Sequence, residues 1–488
     1  MRAPDQRRPP DGHWISRRSL LGGGLLLPLA AVLGCAPGRG TPPPRGVALT
    51  ATVDLGRTVA TTSPYAMGIG VSTYGATALD SPDQLAAERR LDARYVRLPV
   101  GWRDGRVTSS AAGGPTTLDV PALADLYRSW GFRVLAVIGG RTTDIDVLPG
   151  DAERIVVALG EDMIDYSSPN EPDNAPGGSL DTAVDVAGMI HAEAGGLIPG
   201  AGVWGPVWTT YDRASVRAFA EAMGPDRFGG ADYHHYAMGS GSIPTRSALD
   251  MTPVWGDEVR DVRADLRSLG LPDRVAVDEY NLTWRSDDGT TEADGGFVSP
   301  ASGELVNGRL FTAVNTVFVA SVAGHVMRAG GTAMPYATQN RALGVMVQNE
   351  YDGDTAHHPA SGGRQQPDSS PMPAFWGIAA WTGASIWPHM ADRFFDVSGL
   401  GGSDIEVFAV GNEAGGHNLV LINKAESHDR VLELVVRGSP DRDFELFQSD
   451  PDAPYAPPRR TRSGRTTNGR VTVQVPWMSV SVVVLQGG

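Results

Sequence analysis

A single cysteine in 488 residues excludes a disulfide framework, because Cys35 has no partner within the chain. It also excludes the cysteine-rich kind of structural zinc site. Positive charge is scarce as well: 41 Lys and Arg face 56 Asp and Glu, for a formal net charge of −15. Such a surface repels phosphate backbones, and no Lys/Arg run suggests a nucleic-acid groove, so no nucleic-acid partner is expected. The motifs G-x-S-x-G, H-E-x-x-H and the P-loop are missing. The stretch GIGVSTYG (68–75) fails the dinucleotide spacing, since Thr73 stands where a third glycine belongs. His234 adjoins His235 and His357 adjoins His358, but neighbours in a strand point to opposite faces and no cluster has ligand spacing. No cofactor and no metal are therefore expected.

What is present is an ordinary globular composition, 41% hydrophobic and 20% charged, with 61 Gly and 36 Pro for many turns. Residues 1–35 read apart from the rest. Arg17-Arg18 precedes the apolar run Leu20–Gly34, which is interrupted by Pro28 and short for a membrane span. A twin arginine before such a run is a Tat-type export signal. The ending Val32-Leu33-Gly34-Cys35 resembles a bacterial lipobox, which implies cleavage before Cys35 and lipidation of it. The expectation is a protein exported by the Tat route, held at the outer face of the cytoplasmic membrane by Cys35 or released outside. Residues 36–46, rich in Pro and Gly, read as a tether.

From about residue 61 short apolar runs alternate with helical patterns. Eight strand candidates stand at 66–71, 94–100, 132–139, 162–168, 201–207, 229–236, 274–280 and 331–337. Gly131 and Gly270 close two of the intervening helices. Eight strands, each followed by a helix or helical loop, predict an α/β fold, a (β/α)8 TIM barrel over 61–387. After Pro388 the pattern changes to period two with turns between, which predicts an antiparallel β-sandwich over 388–488. The strand within 47–60 has no βα partner and is expected to join that sandwich. The polar insert at 352–371 reads as a rim loop.

In such barrels the chemistry sits at the C-terminal strand ends. The second strand ends with Arg97, the fourth with Asn170-Glu171-Pro172, the sixth with His234-His235-Tyr236 and the seventh with Glu279-Tyr280-Asn281. Trp102, Trp208 and Trp284 follow the second, fifth and seventh strands; each is a candidate sugar platform or barrel packing. Two glutamates facing each other across the mouth are what glycosidic cleavage needs: one carboxylic acid to protonate the leaving oxygen, one carboxylate to attack the anomeric carbon. That division requires Glu171 protonated and Glu279 ionised near neutral pH. Arg97 would hold Glu279 ionised, and Asn170 would bond a sugar 2-hydroxyl.

These residues resemble the clan A glycoside hydrolases. Asn170-Glu171-Pro172 matches that clan's acid/base motif, His234-x-Tyr236 its sixth-strand motif, and Arg97 its second-strand arginine. VDEYN (277–281) is similar to the nucleophile segment of the arabinofuranosidase and β-xylosidase families, and VWGPVW (203–208) resembles the fifth strand of the β-xylosidase/α-L-iduronidase family. The resemblance implies Glu171 as acid/base, Glu279 as nucleophile, Tyr236 bonded to the nucleophile, and a poly- or oligosaccharide substrate, with a β-xyloside or α-L-arabinofuranoside leading. Where many members carry a tryptophan at the end of the eighth strand, this chain has Tyr336, which leaves the sugar open. A catalytically silent carbohydrate-binding lipoprotein and a transglycosidase stand as alternatives.

Overall fold

The computed structural model describes residues 48–487 apart from 72–80, 104, 110–118, 140–147, 161, 175–177, 195–196, 198–201, 239–242, 285–296, 299–304, 307, 340–342, 348–365, 403 and 439–440. The export signal, Cys35, the tether, Thr73 and most of the 352–371 insert lie outside the described residues.

Strand β1 (Leu49–Thr61) precedes the barrel. The eight barrel strands are β2 (Gly68–Gly70), β3 (Tyr95–Arg103), β5 (Arg133–Ile138), β6 (Ile164–Ser167), β7 (Val203–Trp208), β8 (Phe228–His234), β9 (Val275–Tyr280) and β12 (Thr332–Pro335). A short strand β4 (Arg106–Ser109) folds back on β3 as a hairpin, and β10 (Phe297–Val298) pairs with β11 (Leu305–Val306) outside the barrel. The eight are parallel neighbours in chain order. The ring closes between its ends: Met67 bridges Ala333 and Gly70 bridges Tyr336. The apolar runs are near-continuous because both faces are covered. Tyr95, Leu135, Trp204, Ala276 and Met334 fill the lower bore, while the helices cover the outer face.

Those helices are α1 (Pro82–Leu91), α2 (Val120–Ser129), α3 (Asp151–Leu159), α4 (Leu180–Ala194), α5 (Arg213–Arg227), α6 (Thr245–Asp250), α7 (Pro253–Ser268), α8 (Ala313–Arg328) and α9 (Pro373–Thr382). Their starts are written in the sequence. Ser81 and Asp119, each followed by a proline in the first turn, cap α1 and α2 by accepting from the backbone N–H of Gln84 and Ala122. Gly131 and Gly270 sit at φ +81° and +71°, left-handed positions that end α2 and α7 as the sequence predicts.

The last hundred residues form β13 (Met390–Ser398), β14 (Ile405–Asn412), β15 (His417–Asn423), β16 (Arg430–Arg437), β17 (Asp443–Gln448), β18 (Arg459–Arg465), β19 (Arg470–Val475) and β20 (Ser479–Leu485). With β1 they make one nine-stranded sheet in the order β18-β17-β20-β15-β14-β13-β1-β16-β19. The N-terminal strand joins it as expected, antiparallel to β13 and parallel to β16, so the sheet is mixed at that one pair. The sheet rolls around a single core of Ala51, Val53, Leu419, Leu434, Val473 and Val483 among others. Its two edges are tied by Arg462 Nη1 of β18, which donates to Thr472 O of β19, and Gln448 Nε2 of the neighbouring β17 donates to Gln474 O, both at 2.7 Å. Period two then decides the docking: Val483 and Leu485 of β20 face the sheet's own core, while Val480, Val482 and Val484 join the core shared with the helices.

One buried polar knot pins the sheet to the barrel helices. Lys424 Nζ donates to Leu249 O (2.9 Å), Thr252 Oγ1 (2.7 Å) and Glu406 Oε1 (2.5 Å), and Ser321 and His325 complete the shell of Glu406. Burial pushes the Glu406 carboxyl up, but His325 and Lys424 outweigh it and bring it down to about 2. Burial wins at Lys424, whose amine is lowered. Glu406, which accepts from Lys424, Ser321 and His325, is the better served of the two charges. Removing one partner is the costly change. Lys424→Met is expected to lose about 3 kcal/mol in a denaturant titration, with Lys424→Met/Glu406→Leu recovering most of it.

Candidate active site

Glu171 follows β6 at a left-handed backbone position, φ +48°, uncommon for a residue with a Cβ. The acid-bearing turn holds it there. The Glu171 N–H donates to Val207 O at 3.0 Å, and the Asn174 N–H to Glu171 O at 3.0 Å. Asp173 accepts from both the N–H and the hydroxyl of Thr209, at 3.1 and 2.9 Å. Asn174 Nδ2 also donates to Glu171 Oε2 at 3.3 Å. Residues 170–174 are thus a built loop, each of whose polar residues has a task.

On the opposite side a register shift makes the site. Asp232 pairs with Ala276 and Tyr233 with Val277, but His234 pairs with Glu279. That extra residue in β9 lets both Asp278 and Glu279 turn toward Arg97. Arg97, 2% exposed, donates Nε to Asp278 Oδ2 at 2.6 Å and Nη1 to Glu279 Oε1 at 2.7 Å, and its Nη2 donates to Asn170 Oδ1. The Tyr236 hydroxyl donates to Glu279 Oε2 at 2.8 Å. His234 Nδ1 lies 2.9 Å from Glu171 Oε1 and 3.4 Å from Glu279 Oε2. A carboxylate oxygen of Glu171, one of Glu279 and a ring nitrogen of His234 all lie within 4.8 Å of one another.

Three such atoms meet the spatial demand of a metal site, a cluster that spacing in the sequence does not disclose. The donor set speaks against an ion there. Glu279 already receives a guanidinium and a phenol, and the Glu171 oxygen nearest the group is bonded to His234. A divalent ion there would have to displace Tyr236 from Glu279 Oε2 and break the bond between His234 and Glu171.

The charges are coupled. Burial opposes a charge on His234, but Glu279, Asp278 and Glu171 outweigh it and push the imidazole up to about 9. Burial raises the Glu171 carboxyl, yet His234 and Asn174 pull it below its ordinary value. Burial raises Glu279, with His234 and Arg97 pulling against it and leaving it above its ordinary value. These directions run opposite to the division the chemistry calls for, a protonated Glu171 and an ionised Glu279. Without sugar, the Glu171–His234 couple holds one extra proton as a unit, and that proton rests on the imidazole. His234 Nε2, however, stands 3.3 Å from Arg97 Nη2, a group that only donates. Expelling solvent from Glu171 therefore favours a neutral His234 that keeps its Nδ1 proton and a protonated Glu171. For Glu279 the two strong donors on its two oxygens favour the anion against burial.

Beneath this layer, Asp232 accepts from Ser167 Oγ at 2.6 Å. Burial, aided by Asp278, pushes Asp232 up to about 8. Burial thus favours the neutral acid at Asp232, which eases the negative charge gathered under Arg97.

Of the residues singled out in the sequence, Glu171, Glu279, Asn170, Arg97, His234 and Tyr236 converge. Tyr336 stands at the mouth beside Gly70, whose β-carbon, if built, would come within 3.8 Å of the tyrosine ring. Trp208 does not join them as a platform. It is 6% exposed and packs in the core between barrel and helices, because β7 turns it outward. Trp284 is 46% exposed just past β9. His235 points away, as strand alternation requires, stacking on Trp255 and bonding Glu258 at 2.9 Å. Asp278, Asp173 and Asn174 were not singled out. Asp278 had a signal: two adjacent carboxylates in the buried run VAVDEY demand a cation nearby. Asp173 and Asn174 had none beyond their place after Glu171.

A closed parallel barrel with an accessory sheet, and opposed glutamates at the ends of its fourth and seventh strands, defines the class. No protein-family model matches the sequence, and no curated protein resembles it in sequence. Solved structures share the fold. An arabinofuranosidase of glycoside hydrolase family 51 from Xanthomonas axonopodis pv. citri superposes with TM-score 0.63 at 15% identity, over 90% of this chain and 100% of that one. A family 44 xyloglucanase from Paenibacillus polymyxa gives 0.61 at 11% identity, over 90% and 99%. A family 30 subfamily 8 xylanase from Clostridium acetobutylicum gives 0.56 at 14%, over 90% and 100%. The barrel-plus-sheet architecture is thus that of glycoside hydrolases, in agreement with the clan A resemblance.

Proposed function

We infer that the protein is a retaining glycoside hydrolase. The observation that carries this reading is the approach of the Glu171 and Glu279 carboxylates to within 4.8 Å across the mouth. Retaining enzymes hold their carboxyl groups about 5–5.5 Å apart, whereas inverting ones leave about 6.5–9.5 Å for a water between. Glu279 attacks the anomeric carbon and forms a glycosyl ester as the carbon–oxygen bond of the leaving group breaks. Glu171 gives its proton to that departing oxygen. Glu171, now a carboxylate, takes a proton from water, whose oxygen attacks the anomeric carbon and releases Glu279. Asn170, its Oδ1 occupied by Arg97, turns its amide N–H toward the sugar.

For the substrate we favour a β-xyloside or α-L-arabinofuranoside. This rests on the resemblance of VDEYN and on fold neighbours described as an arabinofuranosidase and a xylanase. Hydrolysis of a panel of aryl glycosides, with NMR of the anomer first released, tests the reading. Net retention on a pentoside supports it. Inversion, or binding without release of sugar, overturns it, the latter in favour of a silent carbohydrate-binding protein. Products longer than the substrate would identify a transglycosidase. We further propose export and anchoring through Cys35; Cys35→Ala should move the protein from the membrane fraction to the medium.

The pH profile follows from the coupled proton. Activity needs the extra proton on the Glu171–His234 couple, so it falls as pH rises toward about 9. His234→Gln removes the imidazole that carries the couple's proton, leaves the buried Glu171 carboxyl to hold it alone, and shifts this alkaline limb to lower pH. By the same sign, the stability His234 adds is complete below its ordinary value of 6.5 and is lost as pH climbs to about 9. Rates measured across pH for both proteins check this; an unmoved alkaline limb would remove His234 from the couple.

A further inference from the structure

Asn281 ends the nucleophile strand and is unused by the chemistry above. Its side chain is fully buried, which removes the Asn281-Leu-Thr triplet as a glycosylation acceptor. Its amide is committed at both ends. Nδ2 donates to the carbonyls of Tyr336 at 2.8 Å and Leu343 at 2.9 Å, and Oδ1 accepts from the Leu282 N–H at 2.7 Å.

Both carbonyls follow β12, where residues 336–339 and 343–347 pair with each other and with the barrel strands as a wall at the mouth. The Tyr336 N–H donates to Tyr280 O at 3.0 Å and the Thr338 N–H to Gly70 O at 2.8 Å. The chain then turns back: the Val345 N–H donates to Ala337 O at 2.8 Å and the Met346 N–H to Thr338 O at 3.1 Å. Tyr336 lies against Gly70 on one side. On the other it is near enough to Tyr236, which holds Glu279, for charge on one phenol to be felt by the other. A buried asparagine satisfied by chance would find acceptors anywhere. Here one amide ties the end of the nucleophile strand to two points of the same wall.

We propose that Asn281 is a positioning residue for sugar recognition: its amide locks Tyr336 and the Leu343 turn to the nucleophile strand, fixing the distance between a sugar ring on Tyr336 and the Glu279 carboxylate. This rests on the glycosidase reading. The role lies in binding, so the expected signature is a rise in KM with kcat nearly kept.

Asn281→Asp keeps the volume but sets a carboxylate oxygen against two carbonyls. With the aryl glycoside that the wild type cleaves fastest, KM should rise roughly tenfold, the equivalent of one buried hydrogen bond or a little more, and kcat change by less than about threefold. Asn281→Ala, if it folds, should act in the same direction. Hydrogen exchange of peptides spanning 336–347 should quicken in both variants while the barrel strands exchange as in wild type. Tyr336→Ala combined with Asn281→Asp should be no worse than Tyr336→Ala alone, since one acts through the other. Unchanged KM, unchanged exchange, or additive effects would each overturn the proposal. A wild type that cleaves no glycoside overturns the enzymatic reading and the recognition role with it. An active wild type with an insensitive Asn281 overturns the latter alone.

Discussion

Glu279→Gln is expected to lower turnover of an aryl glycoside on the order of 10^4-fold or more, with the fold intact by circular dichroism. Among the described residues no further carboxylate stands opposite Glu171 to form the ester, and removing a nucleophile or general acid from a coupled set costs factors of this size. The substitution also turns an amide N–H toward Arg97 or Tyr236, both of which donate to Glu279 in the native protein. Glu171→Gln should differ in kind. A leaving group acidic enough to depart without a proton, such as a dinitrophenolate, still lets the first step proceed. The glycosyl ester then accumulates, because nothing deprotonates the attacking water. A burst followed by slow turnover is the expected trace. Azide offers a second check through stereochemistry. It should restore Glu171→Ala with a product of retained configuration, entering where water enters, and Glu279→Ala with an inverted one, entering from the nucleophile's side. Wild-type rates in either glutamine variant would end the assignment.

Arg97→Met should be the most damaging single change to the molecule as a whole. The guanidinium serves Asp278, Glu279 and Asn170 from a site 2% exposed to solvent. Its loss leaves two buried carboxylates with only the His234 imidazole, 3.7 and 3.4 Å away, to offset them, at a cost of about 3–5 kcal/mol. Activity should vanish together with stability, since Glu279 would take up a proton and Asn170 lose its anchor. Arg97→Lys should not rescue it: an ammonium is one point, and the three acceptors are met by three different nitrogens of a planar fork. Denaturant titration and aryl glycoside turnover check both halves. Asp278→Asn on the Arg97→Met background should restore stability but not activity, because it removes one of the orphaned charges and supplies no support for the nucleophile.

Much of this site was legible before any coordinates. The strand ends carrying Arg97, Glu171, His234 and Glu279 could be read because apolar runs of strand length end in polar residues that no buried strand would keep for packing. The glycines that close α2 and α7 were equally plain. The accessory strands followed from period two. Trp208 was not legible in this way: an aromatic at a strand end fits a platform or the core, and only the direction in which β7 turns it decides. The proton assignment was also out of reach. It depends on His234 standing between two carboxylates and against Arg97, three neighbours drawn from strands far apart in the chain.

The sequence by itself determined the eight barrel strands, the period-two accessory strands, and which side chains end which barrel strands. Those are consequences of local periodicity and turn chemistry, which act over a few residues. Tertiary structure alone decided that β9 carries an extra residue against β8, so that Asp278 and Glu279 share Arg97. It also decided that β1 runs parallel to β16, and that Asn281 reaches the wall holding Tyr336. Each of these is a matter of register between strands distant in the chain. Register is set by the sum of packing across the whole barrel, and no short window of residues contains it.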